Sequence, residues 1–197
     1  QHLLIKRQQQ HYPLQVVSPI ATIAGALYLD LGEQGFWRAI DYLPHSNTIE
    51  VVDTPAQAKL AAEAFGHFAA ALSDLNPSYI VDVIPDFLNL PQRIAQLRDA
   101  KVADTHNRLS HCKDWVDLCL LQTDLLATLV QYEAELPVRI CHNDTKINNM
   151  LFDGRDMSSM AIIDLDTCMK GYLMYDFGDM VRAFCSPETE DSINLTN

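Results

Sequence analysis

Residues 140–153 read I-C-H-N-D-T-K-I-N-N-M-L-F-D, residues 161–167 read A-I-I-D-L-D-T, and residues 175–179 read Y-D-F-G-D. The first segment sets a carboxylate, Asp144, behind an apolar run, with the amide Asn149 further along the same loop. The second sets another carboxylate, Asp164, at the end of Ala161–Ile163, a run expected to form a buried strand. These are residue types that phosphoryl transfer uses: a carboxylate to take the proton of an attacking hydroxyl, and hard oxygen ligands for magnesium. Lys146, just past the first carboxylate, is placed to meet a transferring phosphate with a point charge.

Each of these residues also has a plainer reading. Asp144 by itself is a turn aspartate capping its own backbone, and only its company makes it a general base. Asn148 competes with Asn149 for the ligand role, and the spacing from Asp144 favours Asn149. Lys146 in isolation is a surface lysine. Leu151 suits an apolar floor under a purine and suits a simple core position equally. Asp166 is open to three roles: a second metal ligand, a substrate contact or a loop carboxylate. His142 is expected to pack inward and hydrogen-bond the loop rather than act as a base. Asp176, after Tyr175, is expected to accept backbone N–H groups and brace the loop that carries Asp144.

Working outward, the chain has 197 residues, 48% apolar and 20% charged, enough to bury a sizeable core in one domain or in one domain and part of another. A formal charge of −12 argues against nucleic acid or an anionic membrane as the main partner. Five cysteines without a C-x-x-C pair read as reduced, small core residues of a cytoplasmic protein, not as a disulfide framework or zinc site. No apolar run approaches the ~20 residues of a membrane span.

Residues 1–10 read as the tail of a helix, and Ala21–Leu31 and Phe36–Leu43 flank Gly32-Glu33-Gln34-Gly35 as an antiparallel hairpin. Trp37 and Ala39 alternate with Phe36, Arg38 and Ile40, which predicts a sheet with one covered side. Thr54, Pro55 and Gln57 form an N-cap, N1 proline and capping-box set for a helix reaching about Asp74. His67 on that helix is expected to be an ordinary helix histidine. A second helix is expected over Asn89–Lys101, and a single long amphipathic one over His111–Glu135 with its apolar stripe in a core. Pro137 stops it, and Val138–Cys141 is expected to be the strand entering the motif.

Taken together, H-N-D-T-K-I-N-N, A-I-I-D-L-D-T and Y-D-F-G-D resemble the catalytic and metal motifs of the aminoglycoside phosphotransferase and choline kinase superfamily. Within it the wording is most similar to N-acetylhexosamine 1-kinases, as are the W-R run at Trp37–Leu43 and A-F-G-x-F at Ala64–Phe68. The resemblance covers residues 36–183 and implies an α+β, protein-kinase-like fold. Residues 1–43 would be a partial amino-terminal lobe with antiparallel sheet. Residues 44–197 would be the mainly helical carboxy-terminal lobe. It implies ATP and Mg2+ as co-substrate and cofactor, Asp144 as base, Lys146 as phosphate contact, and Asn149 and Asp164 as magnesium ligands. Backbone groups of Asp41–Leu43 would hold the adenine, and an amino sugar's anomeric hydroxyl would be the acceptor.

The sequence departs from that pattern in its first part. No glycine-rich loop is read between Gln1 and Ala21, and the family's strand lysine is expected to have no counterpart within residues 1–197. The chain is therefore expected to be a piece of a kinase that transfers little phosphate unaided, and a degenerate kinase-fold binding module is the non-enzyme alternative. A-I-I-D-L-D-T also resembles the opening of haloacid-dehalogenase-like phosphatases, with Asp164 as nucleophile and Asp166 as acid. Only 31 residues follow Asp166, too few for the rest of that sheet, and the Asp144–Asn149 loop would be left without a role.

Overall fold

The computed structural model describes residues 1–189 and 192–193. Helix α1 (His2–Gln8) drops Leu3 into the core. His2 and Lys6 both reach Asp74, at 3.0 and 2.5 Å. Four two-residue strands follow: β1 (Pro19–Ile20), β2 (Leu29–Asp30), β3 (Phe36–Trp37) and β4 (Ala39–Ile40). β2 and β3 close the expected hairpin over a short turn, where Gly32 and Gly35 take positive φ of 61° and 79° that a side chain would oppose. β1 pairs antiparallel with β4. The expected covered side is not found. Phe36 and Trp37 are 73% and 60% exposed, and all four strands show both faces to solvent. Alternation reports a possible face, and ladders of two residues present too little surface to hold a covering layer.

β5 (Ser46–Asn47) leads to α2 (Pro55–Ala71), which opens as its sequence predicts. The Thr54 hydroxyl accepts from the Gln57 N–H at 3.3 Å, and the Gln57 side chain accepts from the Thr54 N–H at 3.2 Å. Ala61, Ala64, Phe65, Phe68 and Ala71 line its buried face at helical spacing, while His67 lies on the exposed one.

The chain then enters a separate compact unit, residues 82–138; residues 1–81 and 139 onward make up the other. The separate unit holds α3 (Leu90–Ala103), α4 (Leu109–Leu120) and α5 (Thr123–Glu135). Asn89 caps α3 by accepting from the Gln92 N–H at 3.1 Å. The single helix expected over His111–Glu135 is two. The Gln122 side chain donates to the Leu118 carbonyl at 3.0 Å, taking the acceptor that its own backbone N–H would use in a continuous helix. The stripe expected in a core is exposed: Trp115 is 61% and Leu121 74% accessible, and none of the three helices holds a buried residue.

Returning to the first unit, β6 (Arg139–Cys141) pairs with β9 (Met169–Gly171), and β7 (Met150–Asp153) lies between β5 and β8 (Ser159–Ile162), all antiparallel. Helix α6 (Leu173–Phe184) follows. Tyr12, Leu14, Phe65, Phe68, Ile140, Ile147, Met150, Phe152 and Ile162 form one core cluster with α1 and α2. β6, β7, β8 and the Ile147 turn are thus anchored in that core, and Met180 and Phe184 of α6 pack against it. Three of the five cysteines, Cys112, Cys119 and Cys185, are exposed, contrary to the expected core role; all five are free thiols. Burial pushes the thiols of Cys141 and Cys168 up, the latter to about 12, so neither is a ready nucleophile. Among the described residues no helix is long and apolar enough to cross a membrane.

Candidate active site

The loop after β6 begins with His142, fully buried, its ring set edge-on to Phe65 and Phe68 at centroid distances of 5.4 and 5.6 Å. Its Nε2 lies 2.9 Å from the Ile163 carbonyl, which can only accept, so the proton is assigned to Nε2 and Nδ1 is left buried without a partner. The imidazole thereby ties the loop to the end of β8, one residue before Asp164. Asn143 follows in the left-handed region, φ 63°, a conformation asparagine tolerates better than most residues. Its amide donates to the Thr167 carbonyl at 3.0 Å.

Asp176, buried at the start of α6, accepts the backbone N–H of His142 at 3.0 Å and of Asn143 at 2.8 Å. Burial holds its carboxyl above the usual carboxylate range, against the downward pull of those two N–H groups. One turn on, Asp179 accepts from the Thr145 N–H at 2.7 Å, and its other oxygen takes two bonds from Arg182 at 2.9 and 2.7 Å. The two carboxylates of Y-D-F-G-D therefore clamp successive N–H groups on either side of Asp144.

Asp144 is half-buried. Asn149, 5% exposed, donates from Nδ2 both to the Asp144 carbonyl at 2.8 Å and to its Oδ2 at 2.7 Å. Lys146 Nζ stands 3.4 Å from the same Oδ2. The Ile163 N–H donates to the Asn149 carbonyl at 2.9 Å, so the loop is stitched to the end of β8 a second time. Asp164 then turns out of that strand in the left-handed region, φ 57°, with an exposed carboxylate that accepts no hydrogen bond from the described residues. Asp144, Lys146, Asn149 and the strand end carrying Asp164 are thus brought together.

Among described residues no group of three or more His, Cys, Asp or Glu stands ready to hold a metal. What the loop offers instead is a carboxylate, Asp164, and the amide oxygen of Asn149, whose nitrogen is already committed.

Residues 4–194 match the phosphotransferase enzyme family. The chain belongs to that family. Of solved structures, an aminoglycoside phosphotransferase from Alicyclobacillus acidocaldarius subsp. acidocaldarius DSM 446 is similar at TM-score 0.53 and 16% identity, over 91% of this chain and 55% of that one. The GDP complex of wild-type aminoglycoside 2'-phosphotransferase-IIIa is similar at TM-score 0.50 and 16% identity, over 92% of this chain and 59% of that one. The chain therefore spans little more than half the length of either, and at such identity the likeness establishes the α+β, kinase-like fold.

Other expected residues of this phosphotransferase-family chain lie as follows. Asp166 is gripped by Arg38 between β3 and β4, through bonds of 2.8 and 2.5 Å to its two oxygens, and this pairing holds its carboxyl below the usual range. Asp41 is exposed and its N–H donates to the Ser18 carbonyl at 2.9 Å, while Leu43 is half-buried. Leu151 is half-buried on β7 opposite Ala161. Sequence reading did not single out Thr145, Asp179 or Arg38. Asp179 had a signal: it lies three residues from Asp176, one helical turn, which puts the two carboxylates on one face. Arg38 stands in the W-R run that carries part of the resemblance, but its pairing with Asp166 had no signal, because the two lie 128 residues apart.

Proposed function

We propose that this protein transfers the γ-phosphoryl group of ATP to a hydroxyl of a small molecule, the anomeric hydroxyl of an N-acetylhexosamine, in cytoplasmic carbohydrate metabolism. The observation that carries the reading is the double donation from Asn149 Nδ2 to Asp144, which orients the proposed base and the proposed metal-binding amide as one piece. The preference for an amino sugar rests on the wording of the three motifs, and the cytoplasmic setting on five free thiols.

In this reading the acceptor O–H gives its proton to the Asp144 carboxylate as the oxygen–phosphorus bond forms and the bond to the departing ADP oxygen breaks. Asp164 and the Asn149 amide oxygen would hold Mg2+. The donor set fits: one carboxylate and one amide oxygen, neither engaged by the described residues, leave room for phosphate oxygens and water around an oxygen-seeking ion. When bound, the ion neutralises charge on the phosphates. Lys146 adds a positive charge beside Asp144, and His142 and Asp176 keep the loop in place from beneath. The Asp41–Leu43 segment holds the adenine and Leu151 lies beneath it. Asp166 serves through Arg38, linking residues 1–43, read as part of the smaller lobe, to the metal loop of the larger one, 44–197.

Because residues 1–197 are read as a piece of a kinase that transfers little phosphate unaided, a phosphate-transfer screen of N-acetylhexosamines against choline, homoserine and an aminoglycoside, run on the complete kinase, tests both levels of the proposal. Transfer to a sugar above the other acceptors, lowered roughly 10²- to 10⁴-fold in Asp144→Asn, is expected. A faster reaction with choline or an aminoglycoside would remove the sugar assignment and keep the chemistry. Equal turnover by Asp144→Asn and wild type would remove the base.

A further inference from the structure

Asp164 and Asp166 lie two residues apart, where the chain leaves β8 and enters the short turn Leu165–Thr167. Two carboxylates so close would suit a bare divalent cation, since Mg2+ is commonly held by one or two of them. Their engagements differ, however. Asp164 accepts no hydrogen bond from the described residues, whereas both oxygens of Asp166 are taken by the guanidinium fork of Arg38, at 2.8 and 2.5 Å. Arg38 stands between β3 and β4, and the charge of Asp164 also acts on its guanidinium. The two paired side chains are 55% and 61% exposed. An ion pair in such a setting adds little to stability and parts at small cost, so its weight falls on what it keeps each partner from meeting.

We propose that Arg38 makes the binding of Mg2+ conditional on nucleotide: by holding Asp166 it withholds the second carboxylate from a bare cation, and by its own charge it opposes one arriving at Asp164. The proposal rests on the phosphotransfer reading and adds a regulation of the same site. With Arg38 in place, the loop offers a lone cation one unengaged carboxylate and the Asn149 amide oxygen beside a positive charge, a poor exchange for an ion that gives up water reluctantly. Toward an ion carried on ATP the same guanidinium acts in the opposite sense. The phosphates supply oxygen ligands of their own and a net negative charge, which arginine attracts. Of the three roles open to Asp166, the structure thus favours the loop carboxylate, with Arg38 seated on it. A lysine at position 38 would keep the charge but lose the two-pronged grip on both oxygens.

The test is calorimetric titration of MgCl2, without nucleotide, into the complete kinase as wild type, Arg38→Gln and the double variant Arg38→Gln/Asp166→Asn, with Mg-ATP titrated into the same samples. Arg38→Gln is expected to bind Mg2+ alone about 10-fold more tightly than wild type, the scale of one close charge contact near a protein surface. The double variant loses the cation and the freed carboxylate together and is expected to return close to wild type. Mg-ATP affinity is expected not to rise in Arg38→Gln, so the gap between bare and nucleotide-borne metal narrows. A pair that only propped up the loop would weaken Mg2+ binding when broken, so the direction of the change separates the two roles. Mg2+ binding by Arg38→Gln that is equal to or weaker than wild type, or a gain that persists in the double variant, overturns the proposal. Failure of wild type to bind Mg-ATP would strike the phosphotransfer reading beneath it, and because bare Mg2+ is titrated separately the two failures are distinct.

Discussion

Asp176 does more to shape the candidate site than any residue expected to touch substrate. Its two oxygens accept the N–H groups of His142 and Asn143 from inside the protein. Asp176→Ala would orphan both donors, at about 1–3 kcal/mol each, and urea unfolding should show a loss of several kcal/mol. The same burial raises its folded pKa above the unfolded value of about 4. Its contribution to stability is therefore fully present below that value and is lost as pH rises through the raised folded one. The unfolding free energy of wild type minus that of Asp176→Asn should accordingly fall as pH increases from about 4; a difference that grows with pH would contradict this. At this scale the sequence was legible where chemistry and spacing coincide, as at Asp144, Asn149 and Asp164. It was silent where a side chain meets a partner across the fold, as Arg38 meets Asp166.

Among the elements, those with local signals could be read and those decided by a side chain's choice of partner could not. The Thr54 capping box was legible because all its parts lie within four residues, and Thr54→Ala should cost ~1 kcal/mol in chemical denaturation. Phe68, 2% exposed and edge-on to His142, belongs to a stripe that the 3.6-residue period made visible. Its replacement by Ala should cost about 3–5 kcal/mol, the range for a lost core aromatic. The break between α4 and α5 gave no such signal. No glycine or proline marks it, and it depends on Gln122 bonding Leu118 instead of pointing to solvent. The short strands β1 to β4 show the same limit: their turn was legible, whereas the absence of a covering layer is a property of what packs nearby.

For the molecule as a whole, the fold class was legible through the resemblance of three polar motifs, taken in order, to those of the aminoglycoside phosphotransferase and choline kinase superfamily. The exposure of Trp115 and Leu121 could not be read, since periodicity reports that a face is apolar and not what covers it. The net charge of −12 acts at this scale too: self-repulsion should make thermal unfolding occur at a lower temperature in ~0.01 M salt than in 0.15 M, where screening reaches about 8 Å. Phosphoryl transfer here requires that the Asp144–Asn149 loop and Asp164 form one magnesium-nucleotide site. Calorimetric titration of ATP into wild type, Asp144→Asn and Asp164→Asn, with Mg2+ and with a chelator, addresses that directly. Binding that requires Mg2+, survives in Asp144→Asn and weakens at least roughly 10-fold in Asp164→Asn is the predicted result. ATP binding indifferent to both Mg2+ and residue 164 would contradict it.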